Sequence, residues 1–579
     1  MHGEIGMDNL KQTITIAFFL ATFFCLPNLG CSQTKSNISS VQNFVNLVKD
    51  AQTKSDAKDW KAAAELWNQV VQNNPVEVKF WQKLGEAQFN AKNYREAIPA
   101  FQKASELVVW SPQIRPFEYE IARCYALLGD TEQALLSLEK SFQLGFRYFA
   151  EAREDSAFVS LRNDARFQRL TNSLNTSRMS RDEGWRYDLQ VLTNEVRRRA
   201  VSPYRLATKE KFEAETNRIY ESIPRLTDIQ IIIEFMKLMV LVGDGHTNIY
   251  GFWETPELRQ TISIEWFAFQ EGIFITAANV KYEDLLGAQV LKIGGKEIDE
   301  VLKLIDPLCH RDNQMSPRVL GLMRMRHPAI LQGLGIIKDV KKVPLTIRDK
   351  QGKIREIELP TDSQMPSRRL WDGIPPDWKT FHQSEKIPLY LKDVFKPYWF
   401  EYLPDPKTVY FQFNQVRNTE KEDFATFCTR LFKFINETEV EKLVIDLRWN
   451  NGGNSQLLPP LIQGIVRNEK INQKGKFFVI TGRRTFSAAQ IAATLLERNT
   501  KAIFVGEPTG SSPNFIGEET TFELPYSKLN ASVSDLYWQN SVNTDHRTWI
   551  APLIYMPPTF ADYMTNRDSA LESILNYQP

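Results

Sequence analysis

The sequence has few cysteines and histidines for its length, and its charges almost cancel. Five cysteines are spread over 579 residues without a CxxC pair, and the six histidines form no HExxH motif. A disulfide framework and a zinc site of standard spacing are therefore not expected. Lysine and arginine number 71, against 70 for aspartate and glutamate. This balance provides no basic surface, which argues against a nucleic-acid partner and a polybasic membrane patch.

The first 31 residues differ in character from the rest of the chain. Lys11 is followed by the apolar run TITIAFFLATFFCL and then by Gly30-Cys31. A basic residue, a short apolar core and small residues are typical of a secretory signal, and the run is short for a membrane span. We therefore expect residues 1–31 to direct export to the periplasm or the extracellular space. Gly30-Cys31 also resembles a bacterial lipoprotein cleavage site, which would anchor the protein to a membrane through Cys31; an ordinary cleaved signal is the alternative.

A chain of this length exceeds one ordinary domain, so the fold class is predicted to be multidomain. Its N-terminal part, residues 40–175, contains a repeat in which Ala63, Ala97 and Ala134 each precede a large apolar residue by four positions. Small alanines beneath a large side chain are typical of paired helices, and segment 80–104 resembles the tetratricopeptide pattern. We expect α-helical repeats here. They would bind a protein partner, although a spacer or a stabilising cap fits the pattern equally well.

The remaining chain divides into four segments. Residues 183–255 are amphipathic and predict a helical subdomain, whereas 260–360 contain strand-like runs and glycine-punctuated turns. The order of strand, LLGAQVLKIGGKEI, helix and hairpin in this β-rich segment resembles a PDZ-like domain, with 306–340 as an insertion. Residues 361–405 are rich in proline and tryptophan and predict a linker or lid. From 406 to 579 strands alternate with helices, which predicts an α/β domain.

The stretch TGRRTFSAAQ (481–490) places a single serine, Ser487, between an apolar strand-like run and an alanine-rich helix-like run. Two interpretations are open. Ser487 and Gln490 match the S-x-x-Q capping box, which satisfies free amides at the start of a helix. Alternatively, Ser487 is a nucleophile held on a sharp turn, where nearby amides and the helix dipole favour an alkoxide.

A nucleophilic serine needs a base, because its hydroxyl is barely ionised at neutral pH. No lysine occurs between Lys501 and Lys528, so the lysine that a Ser/Lys dyad would place downstream is missing. Of the histidines, His246 in GDGHT has the most suggestive setting, because the flanking glycines permit a tight backbone. A purely structural role for this histidine is the alternative.

A third stretch, VIDLRWNNGGNSQ, is strand-like up to Asp446 and then contains the pair Gly452-Gly453. Paired glycines after a parallel strand present bare amides, which suit the binding of an oxyanion. The alternative is a plain β-to-α turn in which Asn454 or Ser455 caps the next helix.

Four motifs occur in the order found in the tricorn and C-terminal-processing serine peptidases. They are GDGHT (243–247), DLRWNNGG (446–453), RRTFSAAQ (483–490) and FVGEPTG (504–510). The resemblance covers about residues 185–560, and it implies a crotonase-like core of β-β-α units in the α/β domain. The histidine-bearing, tricorn-like branch is the more similar one, and the missing lysine agrees with this. The resemblance implies no metal and no organic cofactor.

The resemblance also implies residue roles. Ser487 matches the nucleophile and His246 the general base. The backbone amides of Ala488 and of Gly452 or Gly453 match the oxyanion hole.

In tricorn-like members an acid near the C-terminus orients the histidine. The candidate here is Asp545, one position away from the family's usual glutamate position, which His546 occupies. Glu507 in VGEPTG is the rival candidate. We expect Asp244, two residues before His246, not to reach the imidazole well.

These implications describe an exported serine peptidase that cleaves protein or peptide substrates through an acyl-enzyme. The alternative is a non-catalytic peptide-binding scaffold built on a degenerate peptidase core. Hydrolysis of an ester or of another non-peptide acyl group also fits the implied Ser/His chemistry, because that chemistry does not choose the leaving group.

Overall fold

The computed structural model describes residues 31–108, 111–144, 149–171, 174–249, 256–362, 377–381 and 387–578. Residues 1–30 of the predicted export signal lie outside these ranges. The chain forms two compact units, the first ending at Ser141 and the second beginning at Phe142. No helix within the ranges given above combines the length and the apolar character that crossing a bilayer requires.

The first unit consists of helices, and each of the first four packs against the next one along the chain. They are α1 (Cys31–Asp56), α2 (Trp60–Asn73), α3 (Val78–Asn90), α4 (Tyr94–Leu107), α5 (Ser111–Leu127) and α6 (Thr131–Gln143). The alanines of the predicted repeat, Ala63, Ala97 and Ala134, are fully buried. A Cβ atom on Gly85 would stand 2.6 Å from the ring of Phe101, so glycine lets this ring approach the helix backbone. The N-terminal helices are thus confirmed, while their tetratricopeptide type and the boundary at residue 175 stay predictions.

The second unit combines helices and sheets. Its helices are α7 (Phe149–Glu154), α8 (Ala165–Leu170), α9 (Arg181–Arg199), α10 (Lys209–Ser222), α11 (Asp228–Val240), α12 (Pro256–Arg259), α13 (Ile298–Ile305), α14 (Pro317–Arg324), α15 (Pro328–Gly333), α16 (Phe424–Glu437), α17 (Pro459–Arg467), α18 (Ala488–Asn499), α19 (Phe560–Met564) and α20 (Ser569–Leu575). Its strands are β1 (Asn248–Ile249), β2 (Thr261–Ile262), β3 (Ile264–Phe269), β4 (Gly272–Asn279), β5 (Gln289–Ile293), β6 (Lys296–Glu297), β7 (Lys342–Arg348), β8 (Ile354–Asp362), β9 (Trp378–Thr380), β10 (Tyr398–Leu403), β11 (Thr408–Phe413), β12 (Lys442–Asp446), β13 (Phe477–Thr481), β14 (Ile503–Gly506), β15 (Asn514–Glu523), β16 (Asn530–Gln539) and β17 (Ile554–Tyr555).

An antiparallel sheet occupies the segment predicted to be β-rich. Its strand order is β2-β8-β7-β5-β4-β3, with β6 paired to β5 and β9 paired to β4. Alternating apolar residues of these strands, such as Ile275, Val290 and Ile347, pack with α13 in one buried core. The PDZ-like type of this sheet stays a prediction. The helices α14 and α15 lie in the predicted insertion.

A six-stranded sheet forms the centre of the α/β part. Its order is β10-β11-β12-β13-β14-β17, and all neighbouring pairs are parallel except β10 with β11. The helices α16, α17 and α18 cover one face, and α20 covers the other. Burial on both faces explains the continuous apolar runs of the strands, such as FFVIT in β13. Strands β9 and β10 both lie inside the predicted linker 361–405. The linker prediction is wrong at these two strands, because β9 pairs with β4 and β10 pairs with β11.

A small antiparallel sheet, β1-β16-β15, anchors the chain that follows α11. Asn248 of β1 lies opposite Ser532 of β16. Before β1, Gly243 adopts a φ of +87°, and an added Cβ atom would stand 2.9 Å from the backbone nitrogen of Leu206. The tight turn therefore requires glycine at position 243, and it fixes the loop 244–247 between a helix and a sheet strand.

Candidate active site

Ser487 lies on the turn between β13 and α18. Its backbone angles, φ 53° and ψ −125°, fall in a region that residues with a side chain rarely adopt, and its hydroxyl makes no capping hydrogen bond to the helix. Gln490 instead donates from Nε2 to Oγ1 of Thr494 at 3.2 Å. The capping-box interpretation is therefore wrong. A strained serine where a strand meets a helix is the arrangement that exposes a nucleophile, and such strain points to function.

Gly452 borders the Ser487 turn closely. An ideal Cβ atom on Gly452 would stand 2.7 Å from Cβ of Ser487 and 3.0 Å from the backbone nitrogen of Ala488. The missing side chain thus allows the loop after β12 to touch the start of α18. The N–H of Gly452 is already engaged, because it donates to Oδ1 of Asn450 at 3.0 Å.

Gly453 is held by a parallel bridge to Val416. The N–H of Val416 donates to the carbonyl of Gly452 at 2.9 Å, and the N–H of Asn454 donates to the carbonyl of Val416 at 2.8 Å. In such a bridge the middle residue directs its own N–H away from the partner chain. The amides of Gly453 and of Ala488, the first residue of α18, are therefore the better candidates for an oxyanion hole.

His246 packs between two aromatic rings and is 7% exposed. Its ring centroid lies 4.6 Å from that of Phe486, at an interplanar angle of 25°, and 5.9 Å from that of Phe515. Because Phe486 directly precedes Ser487, the structure brings the imidazole to the turn that bears the serine. The buried Nδ1 atom of His246 has no hydrogen-bond partner among the described residues.

Asp244 orders the backbone around His246. Its Oδ1 atom accepts from the N–H of His246 at 2.9 Å, from the N–H of Thr247 at 2.6 Å and from the hydroxyl of Ser534 at 2.6 Å. The hydroxyl of Ser532 donates to the carbonyl of His246 at 2.8 Å. The contacts of Asp244 thus run to the loop backbone and to β16, and none of those described reaches the imidazole.

The segment 310–312 contacts both backbone polar groups of Gly245, its N–H and its carbonyl. The N–H of Gly245 donates to Oδ1 of Asp312 at 2.9 Å, and Nδ1 of His310 lies 2.6 Å from the carbonyl of Gly245. Burial, aided by the charge of Arg324, lowers the pKa of His310 to about 3, so this histidine is neutral at physiological pH. Because a carbonyl only accepts, the proton of His310 sits on Nδ1.

Sequence reasoning missed this segment, because it lies within the predicted PDZ-like insertion. Asn313 donates from Nδ2 to the carbonyls of Thr509 at 3.0 Å and Thr548 at 2.7 Å. Ser316 donates to the carbonyl of Gly510 at 3.1 Å. Residues 310–316 therefore join the His246 loop to the end of the FVGEPTG motif. The only hint in the sequence is the cluster of polar residues HRDNQ at 310–314.

Asp545, the predicted orienting acid, is engaged elsewhere. Its carboxylate accepts from Nε of Arg547 at 2.9 Å and Nη2 at 2.8 Å, and Arg547 also binds Glu497. The hydrogen bonds from Arg547 hold the pKa of Asp545 well below its usual range. The structure brings Ser487 and His246 to one place but gives Asp545 no described contact with the imidazole, and neighbouring His546 is exposed.

In the peptide hydrolysis that the family resemblance implies, we expect the substitution Asp545→Asn to leave kcat/KM close to that of the unchanged protein. The reason is that the carboxylate serves Arg547 rather than His246. Steady-state kinetics on purified protein measures this directly. A large loss of kcat in a folded Asp545→Asn protein would restore Asp545 as the orienting acid.

Glu507, the rival acid, is also paired with an arginine. Its two carboxylate oxygens accept from Nε of Arg483 at 3.0 Å and from Nη2 at 2.6 Å, and both side chains are buried. The guanidinium of Arg483 lies 5.0 Å from the ring centroid of Phe267. Arg483, Glu507 and Phe267 line a cavity of about 240 Å³ at the carboxyl ends of β12, β13 and β14. Glu507 thus lines this cavity, and its described side-chain contacts are with arginine rather than with His246.

Comparison with solved structures gives distant similarities. Mature CPAF complexed with lactacystin is 12% identical with a TM-score of 0.48, over 68% of this chain and 97% of that chain. The photosystem II D1 C-terminal processing protease is 12% identical with a TM-score of 0.33, over 69% and 97%. PcrH in complex with the chaperone binding region of PopB is 16% identical with a TM-score of 0.16, over 23% and 95%. No family model and no curated protein matches the sequence. TM-scores below 0.5 do not support a conclusion about function, so the function is inferred from the geometry of the site.

Proposed function

We propose that this chain is a serine peptidase that cleaves protein or peptide substrates through an acyl-enzyme. The observation that carries the proposal is Ser487, which is strained, makes no cap, and adjoins both the glycine pair and the ring that stacks on His246. A serine that merely started a helix would need neither the strained backbone nor these neighbours.

In the proposed reaction, Ser487 attacks the substrate carbonyl while His246 takes its proton. The oxygen of the tetrahedral intermediate then accepts hydrogen bonds from the amides of Ala488 and Gly453. His246 returns the proton to the leaving amine, and a water molecule, deprotonated by the same imidazole, releases the acyl group. These steps use the chain, its substrate and a water molecule.

The surroundings of the site support a peptide as the substrate. The eight-stranded sheet offers strand edges, and PDZ-type modules bind extended peptides by adding them to such an edge. The helices of the first unit would recruit a protein partner. Export rests on residues 1–31 alone, and mass spectrometry of the mature N-terminus would show whether Cys31 is the first residue and carries lipid.

A fluorophosphonate probe tests the nucleophile. It should form a covalent bond from Oγ of Ser487 to phosphorus, with loss of fluoride, and peptide mapping should find the adduct on that residue. The variant Ser487→Ala should remain unlabelled. Ser455→Ala, which changes a serine at the start of another helical turn, should label like the unchanged protein. Absence of labelling in folded protein, across probes of different size, would refute the proposal.

One observation favours a non-catalytic peptide-binding scaffold as the second candidate. The buried Nδ1 atom of His246 lacks a hydrogen-bond partner in the described structure, whereas an active base is normally oriented by one. A scaffold would bind peptides with equal affinity before and after Ser487→Ala and would never release a cleaved product.

A further inference from the structure

The candidate base lacks the acid that the sequence assigned to it. Asp545 is held by Arg547 and Glu507 by Arg483, while the described contacts of Asp244 are with backbone amides and a hydroxyl. A histidine that accepts a proton within a buried site nevertheless needs a negative charge to stabilise its imidazolium. Another acid around the His246 loop would have to supply that charge.

We propose that Asp312 is the positioning acid of His246, holding the Asp244–Gly245 peptide next to it in place and stabilising the imidazolium through space. This inference rests on the proposed function and adds a residue that neither the motifs nor their spacing indicate.

The contacts of Asp312 suit this role. Its Oδ1 atom accepts from the N–H of Gly245 at 2.9 Å, and its Oδ2 atom accepts from the hydroxyl of Ser511. Within the described ranges Asp312 forms no ion pair with lysine or arginine, so its charge is not neutralised by direct contact. A Cβ atom on Gly245 would stand 3.0 Å from Oδ2 of Asp312 and 2.7 Å from the ring of Phe486. Gly245 thus lets the acid approach the ring that stacks on His246.

The electrostatic interaction between Asp312 and His246 also supports this role. Burial raises the pKa of Asp312, and the positive charge of protonated His246 acts against this rise. Because the attraction between the two charges is mutual, an ionised Asp312 carboxylate also favours the imidazolium of His246. A base so supported accepts the serine proton more readily.

Other charges near His246 are few. Asp244 lies on the same loop, neutral His310 comes from the same segment as Asp312, and the charge of Arg205 acts on Asp312. The turn before α18 contributes the ring of Phe486, and β15 contributes that of Phe515. The described contact of β16 with His246 is a serine hydroxyl. Asp244 is therefore the one other carboxylate that has to be controlled for.

The substitution Asp312→Asn removes the negative charge of the side chain while keeping its hydrogen bonds. An asparagine can still accept from Gly245 with its oxygen and donate to the Ser511 oxygen with its nitrogen, so both contacts survive. We expect the acidic limb of the pH profile of kcat/KM to move down by about one unit, because the imidazolium loses its carboxylate. We also expect kcat to fall about 10-fold with KM nearly unchanged, since one pKa unit corresponds to a factor of ten.

A second readout does not depend on catalysis. Histidine labelled with ¹³C at Cε1, assigned by comparison with His246→Gln, should titrate at lower pH in Asp312→Asn than in the unchanged protein. The matched control Asp244→Asn removes a neighbouring charge from the same loop. An unshifted His246 titration in folded Asp312→Asn would overturn the inference, as would a shift confined to Asp244→Asn. A shifted titration without probe labelling or cleavage would refute the peptidase proposal and leave the pairing of Asp312 with His246 intact.

Discussion

Replacing Ser487 by alanine is expected to abolish almost all hydrolysis, with kcat/KM for a fluorescence-quenched peptide falling about 10³-fold or more. The hydroxyl is the attacking atom of the proposed reaction, so no other group can take over its step. His246→Ala is expected to lose a similar factor. The double variant should be no worse than either single variant, because the two groups act as one unit.

The same variants separate catalysis from helix capping. Ser180 caps α9 with a complete capping box, so Ser180→Ala should lower the free energy of unfolding by about 1 kcal/mol and leave activity unchanged. Ser487 makes no such bond, so Ser487→Ala should change stability little and activity greatly. The opposite pattern, a loss of stability with hydrolysis retained, would show that Ser487 is structural.

The substitution Gly452→Ala is expected to reduce kcat at least about 100-fold, because a misplacement of roughly 1 Å at a reacting group costs about that factor. The added Cβ atom would meet Cβ of Ser487 at 2.7 Å and the Ala488 nitrogen at 3.0 Å. Both belong to the strained turn at Ser487, so the nucleophile and one oxyanion donor should be displaced together. The effect should appear in kcat more than in KM, because these groups act on the transition state.

Gly352→Ala is the matched control for this change. Gly352 also has a positive φ, +81°, but an added Cβ atom meets nothing within 4 Å. Both variants therefore carry the backbone strain of alanine in a glycine conformation, and only Gly452→Ala carries the collision. Equal losses of activity in the two variants would contradict the proposed closeness of Gly452 to the catalytic turn.

The sequence predicted what depends on local patterns. Apolar runs such as FFVIT identify strands that are buried on both faces, and alanines spaced along the N-terminal part identify close helix contacts. The order of the motifs brought Ser487, His246 and the glycine pair into one hypothesis. The boundary near residue 405 failed, because YWFEYL was assigned to a linker although its apolar residues pair with β11.

The sequence could not decide the details that come from packing between distant segments. The letters S-x-x-Q are the same whether Ser487 caps a helix or stands on a strained turn; only the backbone angles distinguish the two. Asp545 was favoured by its position in the chain, yet its carboxylate forms an ion pair with Arg547 two residues later. Asp312 carries no motif, and its contact with Gly245 joins segments that pattern analysis treats as separate domains.

The pairing of Asn248 with Ser532 has a consequence for how the protein matures during synthesis. During synthesis the loop of His246 is made long before β16. Until β16 is made, the hydrogen bonds from Ser532 and Ser534 to that loop cannot form. The incomplete polypeptide thus lacks the contacts that order the His246 loop, and we expect the proposed peptidase activity to be absent until those contacts form. The His246 loop is therefore held in its final place only after β16 has been synthesised and has paired with β1.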